Sequence, residues 1–194
     1  MAVQGNFTFS DNFLLPVGRA HWVDLDKPAK PLTEGQPLKY RLTLVLNDMP
    51  ETQELLKKVN DYKQKYFGNK EVKMPIVKAD AEMIEKNSWY AGKYRVRMSA
   101  SIDRKPVLYM PDKSAAVEGT IYPGSWVAPT VCMVGFKQAG NQGVMFIMKS
   151  VMFIRDGERI ATNRDDGSQY DGLTQADIER MIGSEDKPAA DITY

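Results

Sequence analysis

The 194-residue sequence contains one cysteine and one histidine. The single thiol, Cys132, excludes an intramolecular disulfide and any zinc site built from several thiolates. The single imidazole, His21, removes most histidine catalysis and most transition-metal clusters. No stretch approaches the ~20 apolar residues that span a bilayer. The first residues show no cationic segment ahead of a long apolar run. Phe13–Val17 is short and broken by Pro16, so no secretory leader is expected. Cysteine poverty fits a reducing cytosol, and a cytoplasmic protein without membrane contact is expected. A phosphate-binding glycine loop is also missing: Gly135, Gly140 and Gly143 lack a following Lys-Ser/Thr. There is no Gly-x-Ser-x-Gly elbow. The acid pairs Asp24/Asp26, Asp165/Asp166 and Glu185/Asp186 fall in expected loops or the C-terminal tail, so they do not converge as a metal-dependent nuclease would require. No catalytic group, metal or cofactor is expected, and the chain does not read as an enzyme.

What is there suffices for one sizeable core: 43% of the residues are hydrophobic, with 14 glycines besides. The net charge of +1 conceals an asymmetry. Ten acids against four bases from Asp156 to Tyr194 leave that segment at −6 and the preceding residues at +7. A basic body with an acidic end suits a polyanion-binding surface and a tail that competes for it.

Hydrophobic periodicity predicts mostly strands. Arg19–Leu25 reads as a first strand, and Lys27–Pro37, with three prolines and a glycine, as a loop. Leu38–Leu46 alternates. Leu38, Tyr40, Leu42, Leu44 and Leu46 share one face; Lys39, Arg41, Thr43 and Val45 share the other. A helix follows from the Met49-Pro50 step to Gly68, with Leu55, Leu56, Val59, Tyr62 and Tyr66 or Phe67 as its apolar stripe. A short helix is expected around Ala79–Glu85. Lys93–Ser101 is the second well-marked strand, with Tyr94, Val96, Met98 and Ala100 opposite Lys93, Arg95, Arg97 and Ser99. Gly124–Phe136 and Val144–Ile154 are long β-rich runs around a Gly140–Gly143 turn. Thr174 caps a short helix to about Ile182, ahead of a flexible end. The fold expected is mainly β: one OB-fold-like antiparallel five-stranded barrel, with a helix between strands 2 and 3, loop insertions and a C-terminal tail. Residues 1–173 form the domain, and residues 174–194 a short helix and a mildly acidic tail.

Aromatic and basic residues interleave on these strands. Trp89-Tyr90-Ala91-Gly92-Lys93-Tyr94-Arg95-Val96-Arg97 holds three of each. Arg104, Lys105 and Tyr109 follow, and Lys39, Tyr40 and Arg41 lie on the earlier strand. Cations that track phosphates and rings that stack on unpaired bases suit single-stranded nucleic acid. Tyr40 and Tyr94 fall on apolar faces and are read as core. Lys39, Arg41, Lys93, Arg95 and Arg97 form either a basic stripe or a solvated strand face. Trp89 and Tyr90 border a groove or seal a barrel end. Trp22 is read as core, His21 as a hydrogen-bonded or solvated residue, and Cys132 as a small buried hydrophobe.

These motifs resemble a known family. Trp89-Tyr90-Ala91-Gly92-Lys93-Tyr94, Ser99-Ala100-Ser101, Arg104-Lys105-Pro106-Val107, Tyr122-Pro123-Gly124-Ser125-Trp126, Gly140-Asn141-Gln142-Gly143 and Arg155-Asp156-Gly157-Glu158 carry the likeness. In order and spacing, from about Gly18 to Leu173, the chain resembles the OB-fold single-stranded-DNA-binding proteins of tailed bacteriophages, related to the gene 2.5-type replication proteins. The resemblance implies a non-enzymatic protein that coats single-stranded DNA, without sequence preference, in replication, recombination and repair. It implies phosphate contacts from Lys39, Arg41, Lys93, Arg95, Arg97, Arg104 and Lys105. Trp89, Tyr90 and Tyr109 are the base-stacking candidates, ahead of Tyr122 and Trp126. It also implies a tail that regulates binding or recruits a polymerase or helicase. Here that tail carries Glu185, Asp186 and Asp191 against Lys187 and ends in Tyr194. A homodimer is left open. The alternative reading is a virion β-barrel assembly protein.

Overall fold

The computed structural model describes residues 6–31, 35–138 and 140–160, with residues 174 and 176. The chain divides between Ile160 and Ala161 into two units, and the strands among the described residues belong to the first. The expected helix from Thr174 and the tail residues Glu185, Asp186, Asp191 and Tyr194 lie outside the described residues, Thr174 and Ala176 excepted.

Alternation in the sequence becomes inside and outside in the sheet. On β3 (Lys39–Leu46), Tyr40, Leu42, Leu44 and Leu46 are buried. On β5 (Tyr94–Ser101), Tyr94, Val96, Met98 and Ala100 are buried. The two strands pair antiparallel over their full length, Lys39 opposite Ser101 and Leu46 opposite Tyr94. β3 pairs on its other edge with β2 (Gly18–Ala29), and β5 pairs with β8 (Asn141–Arg155). β8 forms a long antiparallel ladder with β7 (Trp126–Gln138), and β7 returns to β2 at Gly18 and Arg19. The pairings β2–β3–β5–β8–β7–β2 thus make a closed circuit of five strands. That is the connectivity of the OB fold. One pairing of the circuit, β5 with β8, is parallel.

Three further strands decorate the circuit. β1 (Asn6–Leu14) adds to the edge of β7. β4 (Ile76–Lys78) pairs with β5, and β6 (Val107–Tyr109) pairs parallel with β8. β1 was not expected from the sequence, because a register shift between Phe9 and Asn12 interrupts its alternation. Two further expectations are corrected. β2 continues through Pro28 to Ala29, into the stretch read as a loop. The Gly140–Gly143 stretch is not all turn: β8 already begins at Asn141, which faces Gln138. Gly143 is a strand residue opposite Phe136. Its missing side chain lets Lys73 approach, since a Cβ there would sit 2.6 Å from the Lys73 carbonyl oxygen.

Helix α1 (Pro50–Phe67) lies between β3 and β5, with proline in its first turn and Gly68 at its end with φ 59°. Its buried face is Thr52, Leu55, Val59, Tyr62 and Phe67. Each large apolar side chain so buried contributes about 1.5–3 kcal/mol. The Tyr62 hydroxyl donates to the Thr8 carbonyl at 2.8 Å and accepts from the Gly135 N–H at 3.2 Å, tying α1 to β1 and β7. α1 therefore packs on the inner side of the sheet and does not cover Lys39, Arg41 or Arg97 on its outer side, although Val45 there is buried. Among the described residues no helix is long and apolar enough to cross a membrane.

Candidate nucleic-acid interface

Residues opposite one another in an antiparallel ladder share a face. The registers of β2, β3 and β5 therefore order the outward side chains into rows. They read Arg19–Val45–Arg95, then Trp22–Thr43–Arg97, then Asp24–Arg41–Ser99, and lastly Lys39–Ser101. Lys39, Arg41, Arg95 and Arg97 thus lie on one face, as alternation required. Lys93, just before β5, has the same parity.

Like charges crowd on this face. Burial and the nearby Arg19 lower the Lys93 pKa. Burial and the nearby Arg95 lower that of Arg97. Among the described residues the one ion pair is Lys86–Glu82, 2.6 Å apart on α2 (Ala81–Lys86). None of these strand cations has a carboxylate partner there, and the Arg95 Nε is buried without a hydrogen bond.

One end of the face is roofed by the 3-10 turn Ser88–Tyr90. Tyr90 is buried, and its hydroxyl lies 2.6 Å from His21 Nδ1. Burial pushes the Tyr90 pKa up to about 12, against an opposing pull from Arg95. Burial, then Arg95, lowers that of His21. At neutral pH a protonated phenol pairs with a neutral imidazole. The Trp89 ring stands 5.7 Å from His21, with Lys93 Nζ at 4.5 Å and the Arg19 guanidinium at 5.6 Å from its centre. Trp89 Nε1 is buried without a partner. Trp89 therefore borders the face as a site for cations, whereas Tyr90, for which the sequence left a groove edge and a barrel-end seal open, is buried.

At the other end Lys105 lies 3.4 Å from the Asp26 carbonyl oxygen and over the Tyr40 ring, and Arg104 is exposed in the turn after β5. Tyr109 lies on β6, part-buried. It belongs to the β6–β8 ladder opposite Met152 and bridges to Ala115. Tyr122 also serves packing. Its hydroxyl lies 2.9 Å from Asp156 Oδ1 and accepts from the Gly157 N–H at 3.2 Å. Trp126 extends the Arg19 row across β7, with the Arg155 guanidinium 5.4 Å from its ring.

Sequence reasoning missed two groups. Arg19 is one; it donates to the Gly124 carbonyl at 3.2 Å and to that of Glu158. Trp22 is the other, and the core reading of it is corrected. A register shift between Ala20 and Trp22 reverses the parity of β2, so Trp22 faces outward, half-buried, beside Thr43. Plain alternation places it with Ala20, and no local sequence signal marks the shift.

Comparison with known proteins adds three findings. The family described as "Enterobacter phage Enc34, ssDNA-binding protein" matches residues 14–181. The structure of the single-stranded DNA-binding protein from bacteriophage Enc34 in complex with ssDNA superposes with a TM-score of 0.64 at 20% identity, over 77% of this chain and 89% of that one. The crystal structure of gp2.5, a single-stranded DNA binding protein encoded by bacteriophage T7, gives a TM-score of 0.56 at 14% identity, over 85% and 96%. At these identities the two structures share the fold. No curated protein matches the chain.

Proposed function

Because the chain belongs to the family of the Enterobacter phage Enc34 ssDNA-binding protein, we propose that it binds single-stranded DNA across the outward face of β2, β3 and β5. One observation carries the reading: Lys39, Arg41, Arg95 and Arg97 share that face with no carboxylate partner among the described residues. Like charges held together in this way leave a surface that a polyanion stabilises. Phosphates follow Lys39, Arg41, Lys93, Arg95 and Arg97, and Arg104 and Lys105 extend the track. Trp89 borders it, Tyr90 is buried against His21 at its roofed end, and Tyr109 lies two strands from β5, on β6. Backbone neutralisation does not depend on the base, so binding is independent of sequence. No step in it calls for catalysis. The protein coats exposed single strands during phage replication, recombination and repair in the host cytoplasm. Its acidic end, Glu185, Asp186, Asp191 and Tyr194, competes for the face or recruits replication proteins.

The test is a tryptophan-fluorescence titration with oligo(dT) and with duplex of equal length, at low and high salt. Quenching by oligo(dT), weaker binding to duplex and steep salt dependence are expected. No binding to either ligand, with or without Ser184–Tyr194, refutes the proposal.

A further inference from the structure

The family likeness assigns no residue of this chain to a particular part of the ligand, but two buried donors do. We propose that Arg95 and Trp89 form a seat for one backbone phosphate beneath the strap of residues 80–92, with the Trp89 indole N–H serving as a donor to that phosphate rather than its ring as a platform for a base. The inference rests on the single-stranded DNA reading and assigns one part of that site.

Four observations carry it. First, Trp89 Nε1 and Arg95 Nε are buried without a hydrogen-bond partner among the described residues. Both are N–H groups. Buried donors are as a rule paired, so two left open in one cluster call for an acceptor. Second, the two side chains do belong to one cluster. The Trp89 ring stands 5.7 Å from the His21 ring, and the Arg95 charge acts on both His21 and Tyr90. Arg19, 5.6 Å from the centre of the Trp89 ring, shares a row with Arg95, and Val45 lies between them. Val45 faces outward yet is only 3% exposed, so the row is covered at this point.

Third, the acceptor that fits is an anion. Arg19, Lys93 and Arg95 are all cationic, and none forms an ion pair among the described residues. The Nε edge of a guanidinium, with its neighbouring Nη, is a fork that matches two phosphate oxygens, and the indole N–H adds a further donor. Lys93 Nζ, 4.5 Å from the centre of the Trp89 ring, and Arg19 compete with a base for the faces of that ring. Fourth, the cover is lightly held. The strap is pinched at its base, where the Ala79 N–H donates to the Lys93 carbonyl at 2.9 Å, and it turns at Gly92 with φ 70°. Helix α2 within it buries no residue. Tyr90 anchors it, with the hydroxyl 2.6 Å from His21 Nδ1. Both donors are closed to water as the strap lies, so the turn Ser88–Tyr90 shifts outward as a phosphate enters.

The experiment uses the full chain with 5′-hydroxyl oligo(dT) and with an abasic deoxyribose-phosphate oligomer of equal length. Trp89→Phe keeps a ring and removes the donor. It is expected to weaken both ligands by the same factor, about 10- to 150-fold, with the salt slope unchanged. Arg95→Lys keeps the charge and loses the fork, and should show the same pattern. Wild-type affinity in either variant, or a loss in Trp89→Phe confined to oligo(dT), overturns the proposal. A strand's terminal phosphate is the other source of this chemistry. Tighter binding of 5′-phosphorylated oligo(dT) by the wild type but not by Trp89→Phe would overturn the backbone assignment. The wild-type chain supplies a measurement that does not depend on how the variants fold. Its three tryptophans give three indole N–H resonances, and Trp22→Phe and Trp126→Phe identify that of Trp89 by elimination. Saturation with the abasic oligomer should move the Trp89 resonance; an unmoved resonance overturns the proposal. Absence of oligo(dT) binding by the wild-type chain would instead refute the DNA reading.

Discussion

Arg97→Ala offers the sharpest test of the phosphate track. Arg97 is exposed on β5, its charge is crowded by Arg95, and its side chain makes no hydrogen bond or ion pair among the described residues. Its removal therefore costs the fold little and acts on the ligand. Each phosphate contact on a single strand contributes about 0.7 to the slope of log affinity against log salt. If Lys39, Arg41, Lys93, Arg95 and Arg97 each hold one phosphate, the wild-type slope is about −3.5, and a fourfold rise in salt weakens binding about 130-fold. Without Arg97 the slope is about −2.8 and the same rise weakens binding about 50-fold. The assay is the oligo(dT) titration at four or five salt concentrations, with Arg97→Lys expected to restore the slope. A slope in Arg97→Ala equal to that of the wild type would remove the residue from the track, whatever happens to the absolute affinity.

Other expectations follow from the same geometry. The His21 pKa lies below its ordinary 6.5 because the ring is buried beside Arg95. The unfolded chain therefore takes up the proton more readily. His21 contributes stability that is present above about pH 6.5 and lost as pH falls through the lower folded value. Urea midpoints between pH 5 and 8 should show this fall and its flattening in His21→Asn; parallel curves would contradict it. Gly124 has φ 115°, and a Cβ there would meet the Glu158 carbonyl oxygen at 2.1 Å. Gly124→Ala should lose at least the roughly 1–3 kcal/mol of a strained backbone, read by denaturant titration. Leu44 is fully buried, so Leu44→Ala should destabilise the barrel by about 2–5 kcal/mol. Oligo(dT) affinity per folded molecule should survive that change, since Leu44 points away from the face.

The regular strands were legible without coordinates. Alternation in Leu38–Leu46 and Lys93–Ser101 separated core from cation face because a side chain's side follows from its parity when a strand is unbroken. The stripe of α1 and its stop at Gly68 were legible for the same local reason. The presence of Lys39, Arg41, Arg95 and Arg97 on polar faces was therefore a property of the sequence. That the two faces coincide was not. It depends on β3 and β5 being hydrogen-bonded neighbours across a helix of 18 residues. Tertiary pairing likewise decided the side of Trp22, because the shift between Ala20 and Trp22 is defined by the register of β2 against β3. The same holds for Tyr90, whose burial against His21 joins residues 69 positions apart. Local periodicity is written along the chain; which strands meet, and where a register slips, is settled only when the barrel closes.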